Sequence, residues 1–160
     1  MAVTSFIGLG SNLGDSAGML RDAIMELDRM PDCSMLQASS LYRTAPIAQT
    51  PQPDYINAVA RLDTALEPAE LLSQLLALEA RHGRVRSVAD APRTLDLDLL
   101  LYGDLVVDRP GLRLPHPRMH QRAFVLVPLI EIAPECAIPG HGLARDCLAR
   151  LSGQRVEVMK

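Results

Sequence analysis

The sequence predicts a ferredoxin-like α+β fold, in which a four-stranded antiparallel sheet carries two helices on one face, with additions at the C-terminal end. Segments with strand-like and helix-like hydrophobic periods follow one another in the order β-α-β-β-α-β. Glycine and proline residues separate these segments. The chain has 160 residues, which suits a single domain over residues 1–160.

The first half of the chain supplies three predicted strands and one helix. Residues 3–9 form a short apolar run that predicts a buried strand ended by glycines. Residues 16–30 place leucine and isoleucine at helical spacing, and a proline follows. Residues 34–43 and 55–63 each divide into two sets of alternate side chains, one for each face of an extended chain. This two-residue period predicts two more strands.

The second half completes the pattern and then becomes less regular. Pro68 at the first helical position predicts a helix that runs to about His82. Residues 95–103, LDLDLLLYG, predict a strand. Beyond it we expect a short strand near 105–108, a loop at 115–120, an apolar segment at 123–132, a helix near 143–151 and a strand in the tail.

The composition argues against three classes of protein. No apolar run approaches the roughly 20 residues that span a bilayer. The net charge of −3 argues against a general nucleic-acid-binding protein. The three cysteines include no C-x-x-C pair, which predicts reduced thiols rather than disulfides or a zinc site. We therefore expect a cytoplasmic protein that binds neither nucleic acid nor membrane.

The triplet Asp96-Leu97-Asp98 is the strongest chemical signal. Residues two apart in a strand point to one face, so both carboxylates project together while Leu95, Leu97 and Leu99 face the other side. Asp is a poor strand former, and parallel carboxylates repel each other. Mg²⁺ offsets that repulsion, because it takes carboxylate oxygens together with water and substrate phosphates. The pair predicts a magnesium site; a strand face with solvated acids is the alternative.

Arginine residues cluster just before this strand. From Arg81 to Arg93 the chain carries four arginines and one acid, in a protein whose net charge is negative. Arginine presents a planar fork of donors that suits phosphate oxygens. Arg84, Arg86 and Arg93 beside an acidic metal site therefore predict a polyphosphate site, in an enzyme that moves a phosphate-type group from a nucleotide. The alternative is a solvated loop whose arginines pair with surface acids.

Glu79 lies on the apolar side of the second predicted helix. Leu72, Leu75 and Leu76 precede it at helical spacing, so its carboxylate extends their stripe. An inward carboxylate usually has a partner or a function. A structural ion pair with a nearby arginine and a role in the site are equally consistent with this position.

Two other segments carry residues suited to binding. For His116 and Arg122, in a proline-rich loop, we predict phosphate contact, because Mg²⁺ does not favour imidazole. A surface loop is the alternative. Tyr55 and Phe124 are aromatic residues of a kind found more often in cores than in binding sites. However, Tyr55 shares a strand face with Asn57, and a ring beside an amide suits a flat heterocycle.

The glycine-rich segment GLGSNLG, residues 8–14, lies between the first strand and the first helix. It lacks the glycine spacing of dinucleotide-binding loops, and no Lys-Ser/Thr pair follows it. We interpret it as a tight turn, with Ser11 or Asn12 near the start of the helix.

Six segments together match one known family. They are GLGSNLGD (8–15), LYRTAP (41–46), PDYINAV (53–59), LLALEARHGRVR (75–86), APRTLDLDLLLYG (91–103) and LPHPRMHQRAFVLVPLIEIAP (114–134). Taken in this order they cover nearly the whole chain, and they resemble 6-hydroxymethyl-7,8-dihydropterin pyrophosphokinases of the folate pathway. That family has the ferredoxin-like fold predicted above.

The resemblance implies a reaction and the residues that perform it. It implies transfer of pyrophosphate from ATP to the hydroxymethyl group of the dihydropterin, with release of AMP. It also implies that Asp96 and Asp98 hold two Mg²⁺ ions bridging the ATP phosphates, and that Arg84 and Arg93 stabilise charge during transfer. The ATP contacts that it implies are Glu79, Arg84, His116 and Arg122.

The same resemblance implies a pterin pocket. Tyr55 and Phe124 match two rings that stack on the pterin, and Asn57 matches an amide that hydrogen-bonds it. The loop segment that lines this pocket contributes Thr44, Pro46 and Ile47.

The chain departs from the family at three positions. Ala89 and Asp90 stand where many relatives carry a basic or aromatic residue, and Leu76 stands where some place a polar ATP contact. These departures concern contacts to ATP and leave the aspartate pair intact.

Two alternatives stay open. A metal-dependent nucleotidyltransferase is one, since ferredoxin-like sheets with paired aspartates also transfer nucleotides; it would release pyrophosphate rather than AMP. A ligand-binding module on the same fold is the other, and the intact aspartate pair and Arg93 argue against it. We expect a monomer that acts on the small molecules ATP and dihydropterin.

Overall fold

The computed structural model describes residues 2–12, 14–44, 53–82 and 95–159. The strands in these ranges are β1 (Val3–Ser11), β2 (Cys33–Ala38), β3 (Tyr42–Thr44), β4 (Tyr55–Thr64), β5 (Asp96–Tyr102), β6 (Val107–Arg109), β7 (Leu112–Leu114), β8 (Ala137–Ile138), β9 (Gly142–Leu143) and β10 (Val156–Val158). The helices are α1 (Ser16–Asp28), α2 (Pro68–Arg81), α3 (Ala123–Ile132), α4 (Ala144–Ala149) and a short 3₁₀ helix (Met119–Gln121).

Six strands form one antiparallel sheet. Its order is β10-β3-β4-β1-β5, and β2 also pairs with β4. Because β2 and β3 pair with successive stretches of β4, they act as one interrupted strand. Counted in this way, the central strands have the ferredoxin-like arrangement, which confirms the predicted fold.

A serine accounts for the interruption of the strand predicted at residues 34–43. The N–H of Ser39 donates to the carbonyl of Val59 at 2.8 Å, and its Oγ accepts from the N–H of Val59 at 2.9 Å. The side chain thus takes the place of a backbone carbonyl. The partner strand keeps its hydrogen bonds while the chain leaves strand geometry until Tyr42.

Helices α1 and α2 cover one face of the sheet, which we call the first face. Their buried side chains pack against alternate residues of β1, β4 and β5. Each fully buried leucine contributes roughly 1.5–3 kcal/mol, so this layer carries much of the stability. The buried apolar residues of the two helices are Leu20, Ala23, Leu27, Leu71, Leu75 and Leu78.

The buried stripe of α2 differs from the predicted one. The predicted stripe contained Leu72, Leu75 and Leu76, but Leu76 is 42% exposed and the buried stripe includes Leu71 instead. Helical spacing alone allows both stripes, because leucines surround much of this helix. Glu79 is buried, as predicted.

Helices α3 and α4 cover part of the opposite face, which we call the second face. The apolar segment 123–132 forms α3, whose buried residues pack on Phe6, Val59 and Leu100 of the sheet. In the tail, β10 pairs with β3 and widens the sheet. These elements are the predicted C-terminal additions.

Residues 8–11 of the GLGSNLG segment form a strand rather than the predicted tight turn. Gly8 and Gly10 lie inside β1, which continues to Ser11 and pairs with β4 on one side and β5 on the other. Pairing on both sides overrides the local preference of glycine for turns. Gly14 has a φ of +69°, and the helix cap is Asp15, whose carboxylate accepts from the N–H of Gly18 at 3.1 Å.

The remaining elements agree with the sequence or refine it. The short strand expected at 105–108 begins at Val107 and forms a hairpin with β7. All three cysteines are free, as predicted. Among the described residues, no helix is long and apolar enough to cross a membrane.

Candidate active site

Asp96 and Asp98 lie on the second face, on the edge strand β5. Both are half-buried, whereas Leu95, Leu97 and Leu99 are buried in the first-face core. The alternation predicted from the sequence is confirmed. The side chain of Asp98 is 35% exposed, so its carboxylate is accessible from solvent.

Glycines occupy the strand between the aspartates and Asn57. Gly10 of β1 pairs with Asn57 of β4 on one side and with Asp96 of β5 on the other. Strands lie about 4.8 Å apart, so roughly 10 Å separates the backbones of Asn57 and Asp96, with no side chain between them. Gly8 of β1 pairs with Asp98 of β5 in the same way. We call Gly8 and Gly10 the glycine floor.

The absence of a side chain at Gly10 leaves room for the amide of Asn57. A Cβ on this residue would lie 3.0 Å from Oδ1 of Asn57, closer than side chains normally pack. The sequence interpretation missed this role. The signal that could have revealed it is a glycine inside an apolar strand, which often marks a close approach of another group.

His116 brings an imidazole ring next to Asp98. Its backbone N–H donates to the carbonyl of Leu100 at 2.9 Å, which attaches the loop after β7 to β5. Nδ1 accepts from the N–H of Arg118 at 3.2 Å, so Nε2 carries the proton of the neutral ring, 4.0 Å from Oδ1 of Asp98. Burial and then the charge of Arg122 lower the pKa of His116 to about 4, so the ring is neutral near pH 7.

Glu79 reaches β5 from α2. Its side chain is almost fully buried, and Oε2 accepts from the N–H of Leu97 at 2.7 Å. An edge strand leaves one row of backbone groups without a partner strand, and the carboxylate satisfies one of them. Because Leu97 lies between Asp96 and Asp98, Glu79 fixes the backbone that carries both carboxylates.

Three polar side chains line the other side of the glycine floor. Nδ2 of Asn57 donates to Oγ1 of Thr44 at 2.9 Å, and both residues are buried. Because Nδ2 makes this bond, the other atom of the amide, Oδ1, faces Gly10. Tyr55 pairs with Thr44 across the β3–β4 ladder and is half-buried. Tyr55 and Asn57 are two residues apart on β4 and therefore belong to one face of the strand, as the strand pattern predicted.

Arg122 and Phe124 flank the start of α3. The guanidinium carbon of Arg122 lies 5.5 Å from the centroid of the Phe124 ring, a cation–π contact. Phe124 is half-buried and packs partly on the second-face core. The charge of Arg122 also acts on His116, since it lowers the pKa of that ring. Arg122 therefore influences both the imidazole beside Asp98 and the aromatic ring.

A groove of about 380 Å³ opens beside Asp98. Leu72 and Leu76 of α2 and Leu112 of β7 line it, together with His116. The exposure of Leu76 follows from this position. The sequence interpretation missed the groove, because only the tertiary fold brings the β6–β7 hairpin next to α2.

Most of the predicted site residues are described, but five are not. Those outside the described residues are Pro46, Ile47, Arg84, Arg86 and Arg93, and the departures at Ala89 and Asp90 also lie outside them. Six of the nine described candidates form two groups. Asp96, Asp98 and His116 lie at one side of the glycine floor, and Thr44, Tyr55 and Asn57 lie at the other.

Curated relatives and a family model match this chain. Residues 6–134 match the model of 7,8-dihydro-6-hydroxymethylpterin-pyrophosphokinase. A protein from Pseudomonas aeruginosa, named 2-amino-4-hydroxy-6-hydroxymethyldihydropteridine pyrophosphokinase, is 42% identical over 152 residues, which cover 95% of this chain and 94% of that protein. A protein of the same name from Haemophilus influenzae is 37% identical over 154 residues, 96% of each chain.

Solved structures share the fold. The Plasmodium falciparum HPPK-DHPS structure with pteroate matches 94% of this chain with a TM-score of 0.75 at 12% identity. This chain spans 42% of that longer one. A likeness at this identity supports the ferredoxin-like fold alone. By the family model and the curated relatives, the chain belongs to the 7,8-dihydro-6-hydroxymethylpterin pyrophosphokinase family.

Proposed function

We propose that this chain transfers pyrophosphate from ATP to the hydroxymethyl group of 6-hydroxymethyl-7,8-dihydropterin on the second face of its sheet, and that AMP is the other product. Family membership supports the reaction. One observation carries the location: the carboxylates of Asp96 and Asp98 face the amide of Asn57 across the glycine floor. A site with phosphate-binding groups on one side and a polar edge for a heterocycle on the other suits two substrates that must meet.

Asp96 and Asp98 are the proposed ligands of two Mg²⁺ ions. Their donor set fits Mg²⁺, because both are hard carboxylate oxygens on one face and the neighbouring imidazole is not needed as a ligand. When bound, the ions would neutralise phosphate charge and orient the oxygens of ATP. The contribution of the chain is to hold both carboxylates on one rigid strand, which Glu79 fixes through the N–H of Leu97.

The proposed ATP side includes the groove beside Asp98. Leucines of α2 and β7 offer an apolar wall for a flat base. His116 presents Nε2–H as a neutral hydrogen-bond donor, and Arg122 presents a positive charge close to it. Arg84 and Arg93 are proposed to complete this side by stabilising charge during transfer. The buried carboxylate of Glu79 would act on the ATP side through the N–H of Leu97.

The proposed pterin side lies across the floor. Asn57, whose amide is oriented by Thr44, would hydrogen-bond the polar edge of the pterin. Tyr55 and Phe124 would stack on its two faces, which is a favourable arrangement for planar rings. Pro46 and Ile47 are proposed to line the same pocket.

The proposed chemistry is a displacement at phosphorus. The hydroxymethyl oxygen forms a bond to the β-phosphorus of ATP, the bond from this phosphorus to the α,β-bridging oxygen breaks, and AMP leaves with that oxygen. The hydroxyl proton leaves to water. Nε2 of His116 already carries a proton, so it can donate to a phosphate oxygen but not act as a base. Positioning and charge neutralisation therefore supply most of the rate.

Nucleotide analysis tests this proposal. The protein is incubated with ATP, Mg²⁺ and the dihydropterin, and a parallel sample omits the pterin. We expect one AMP per diphosphorylated pterin, no free pyrophosphate, and no AMP without pterin. Stoichiometric pyrophosphate would instead indicate a nucleotidyltransferase, and ADP a different transfer. Binding of both ligands without turnover would indicate a ligand-binding module.

We also propose that residues 1–160 act as one domain and that the protein is a monomer. Analytical ultracentrifugation would test the monomer.

A further inference from the structure

The C-terminal tail contacts both walls of the proposed pterin pocket. One wall is the start of α3, which carries Phe124, and the other is β3, which ends at Thr44. Strand β10 pairs with β3 and places Val156 opposite Thr44. Two residues before that strand, Gln154 contacts the start of α3. The tail thus connects two elements that are far apart in the sequence.

Gln154 holds the backbone on both sides of Arg122. Its Oε1 accepts from the N–H of Ala123 at 2.9 Å, and its Nε2 donates to the carbonyl of Gln121 at 3.0 Å. The first N–H groups of a helix have no partner within the helix. Arg122 precedes α3 and provides no side-chain cap. The amide of Gln154 therefore caps α3 from a remote segment.

The rest of α3 gives its first turn less support. Pro128 has no N–H to donate to the carbonyl of Phe124, four residues earlier. Glu131, near the other end of the helix, accepts from the N–H of Ser40 at 3.0 Å and from the hydroxyl of Tyr42 at 2.5 Å. That attachment is about two helical turns away from Phe124. Apolar packing on the second-face core holds the buried side of the first turn, and the tail supplies the side-chain hydrogen bonds to the backbone at its start.

We propose that Gln154 is a positioning residue for the transfer reaction, which orients Arg122 toward ATP and Phe124 toward the pterin. The proposal rests on the proposed function. Gln154 acts through the backbone of residues 121–123 rather than by touching a substrate. It lies beyond residues 6–134, which the family model matches, so the assignment comes from the contacts of this chain.

Steady-state kinetics of two variants tests the proposal. Gln154→Met removes both hydrogen bonds at similar size, and we expect the KM for the dihydropterin to rise about three- to tenfold, the effect of one or two lost hydrogen bonds, with a smaller change in kcat. Gln154→Glu keeps an acceptor for the N–H of Ala123, at a helix start that favours negative charge, so its KM should be intermediate. Arg155→Ala is the control, because this exposed neighbour pairs with Glu157 in the tail.

The outcomes separate positioning from simple structural support. A raised KM in Gln154→Met, partial recovery in Gln154→Glu and wild-type kinetics in Arg155→Ala support the proposal, whether or not the lost cap also lowers the melting temperature of Gln154→Met. An unchanged KM in Gln154→Met, or a lower melting temperature with unaltered KM, overturns it while leaving the proposed function intact. A wild-type protein that forms no AMP overturns the proposed function, and the inference with it.

Discussion

The two faces of the central sheet are built from the same strands, yet they differ in chemistry. In β4, Ala60 and Leu62 are fully buried beneath α1 and α2, whereas Tyr55 and Asn57 belong to the second face beside the glycine floor. In β5, buried leucines alternate with the aspartate pair in the same way. A strand with period two can therefore contribute to the core and to the site at once.

The difference between the faces lies in how far helices cover them. On the first face, α1 and α2 bury a continuous apolar layer. On the second face, the apolar cluster beneath α3 and α4 includes Phe6, Val59 and Leu100, and it excludes Gly10 and Asp96. Polar side chains are tolerated on that part of the sheet because they do not displace apolar packing. Substitutions on the two faces should consequently have different effects.

The largest effect is expected at the aspartate pair. Asp96→Ala or Asp98→Ala should lower turnover about 10³-fold or more, because the charge of ATP is left uncompensated. The melting temperature should hold or rise, since one of two repelling carboxylates is removed. Product formation at saturating Mg²⁺ and thermal unfolding measure the two effects. Wild-type turnover would refute the metal role, and a large fall in melting temperature would indicate a structural one.

A substitution on the first face should lower the stability and leave substrate binding unchanged. Leu62→Ala removes a fully buried side chain and should lower the free energy of unfolding by about 2–5 kcal/mol. The remaining folded protein should keep its KM values, because Leu62 lies on the first face. Urea unfolding gives the first quantity and kinetics at low temperature the second. A selective loss of pterin binding with normal stability would contradict the division between the faces.

Phe124 lies at the edge of the second-face core and also belongs to the proposed site. Phe124→Ala should weaken pterin binding by about 1–3 kcal/mol through lost stacking and burial. ATP binding measured alone should change little. Calorimetric titration with pterin, in the presence of a non-hydrolysable ATP analogue, measures the effect. Normal pterin binding combined with a much lower melting temperature would show that the ring is a core residue.

The smallest chemical change concerns the glycine floor. Gly10→Ala adds one methyl group 3.0 Å from Oδ1 of Asn57, so the amide must shift and pterin binding should weaken by about 1–2 kcal/mol. Gly8→Ala is the matched change, because its methyl group meets only Leu100, at an ordinary 3.5 Å. The same titration compares them. Equal affinities in the two variants would argue against a role for the close approach at Gly10.

Local periodicity explains which parts of the site could be predicted. Alternation along one strand places Asp96 with Asp98, and Tyr55 with Asn57, without knowledge of any partner strand. The strand order followed from the sequence of elements. The buried state of Glu79 followed from helical spacing, although the predicted stripe included the exposed Leu76 and omitted the buried Leu71.

The features that the sequence did not predict depend on contacts between distant segments. Gly8 and Gly10 read as a turn because their role depends on pairing with β4 and β5. The groove depends on a hairpin that tertiary packing brings against α2. The hydroxyl of Ser39 breaks a predicted strand only because Val59 is its partner. The glycines inside an apolar strand carry a local signal, whereas the groove and the Ser39 contact have none within one helix or strand.

A crystal structure of the protein with dihydropterin, a non-hydrolysable ATP analogue and Mn²⁺ tests the central claim most directly. The account predicts anomalous scattering from the metal beside Asp96 and Asp98. It also predicts the pterin on the second face, with its polar edge on Asn57 and its rings between Tyr55 and Phe124. A metal bound away from both aspartates, or a pterin bound away from the glycine floor, would contradict the account.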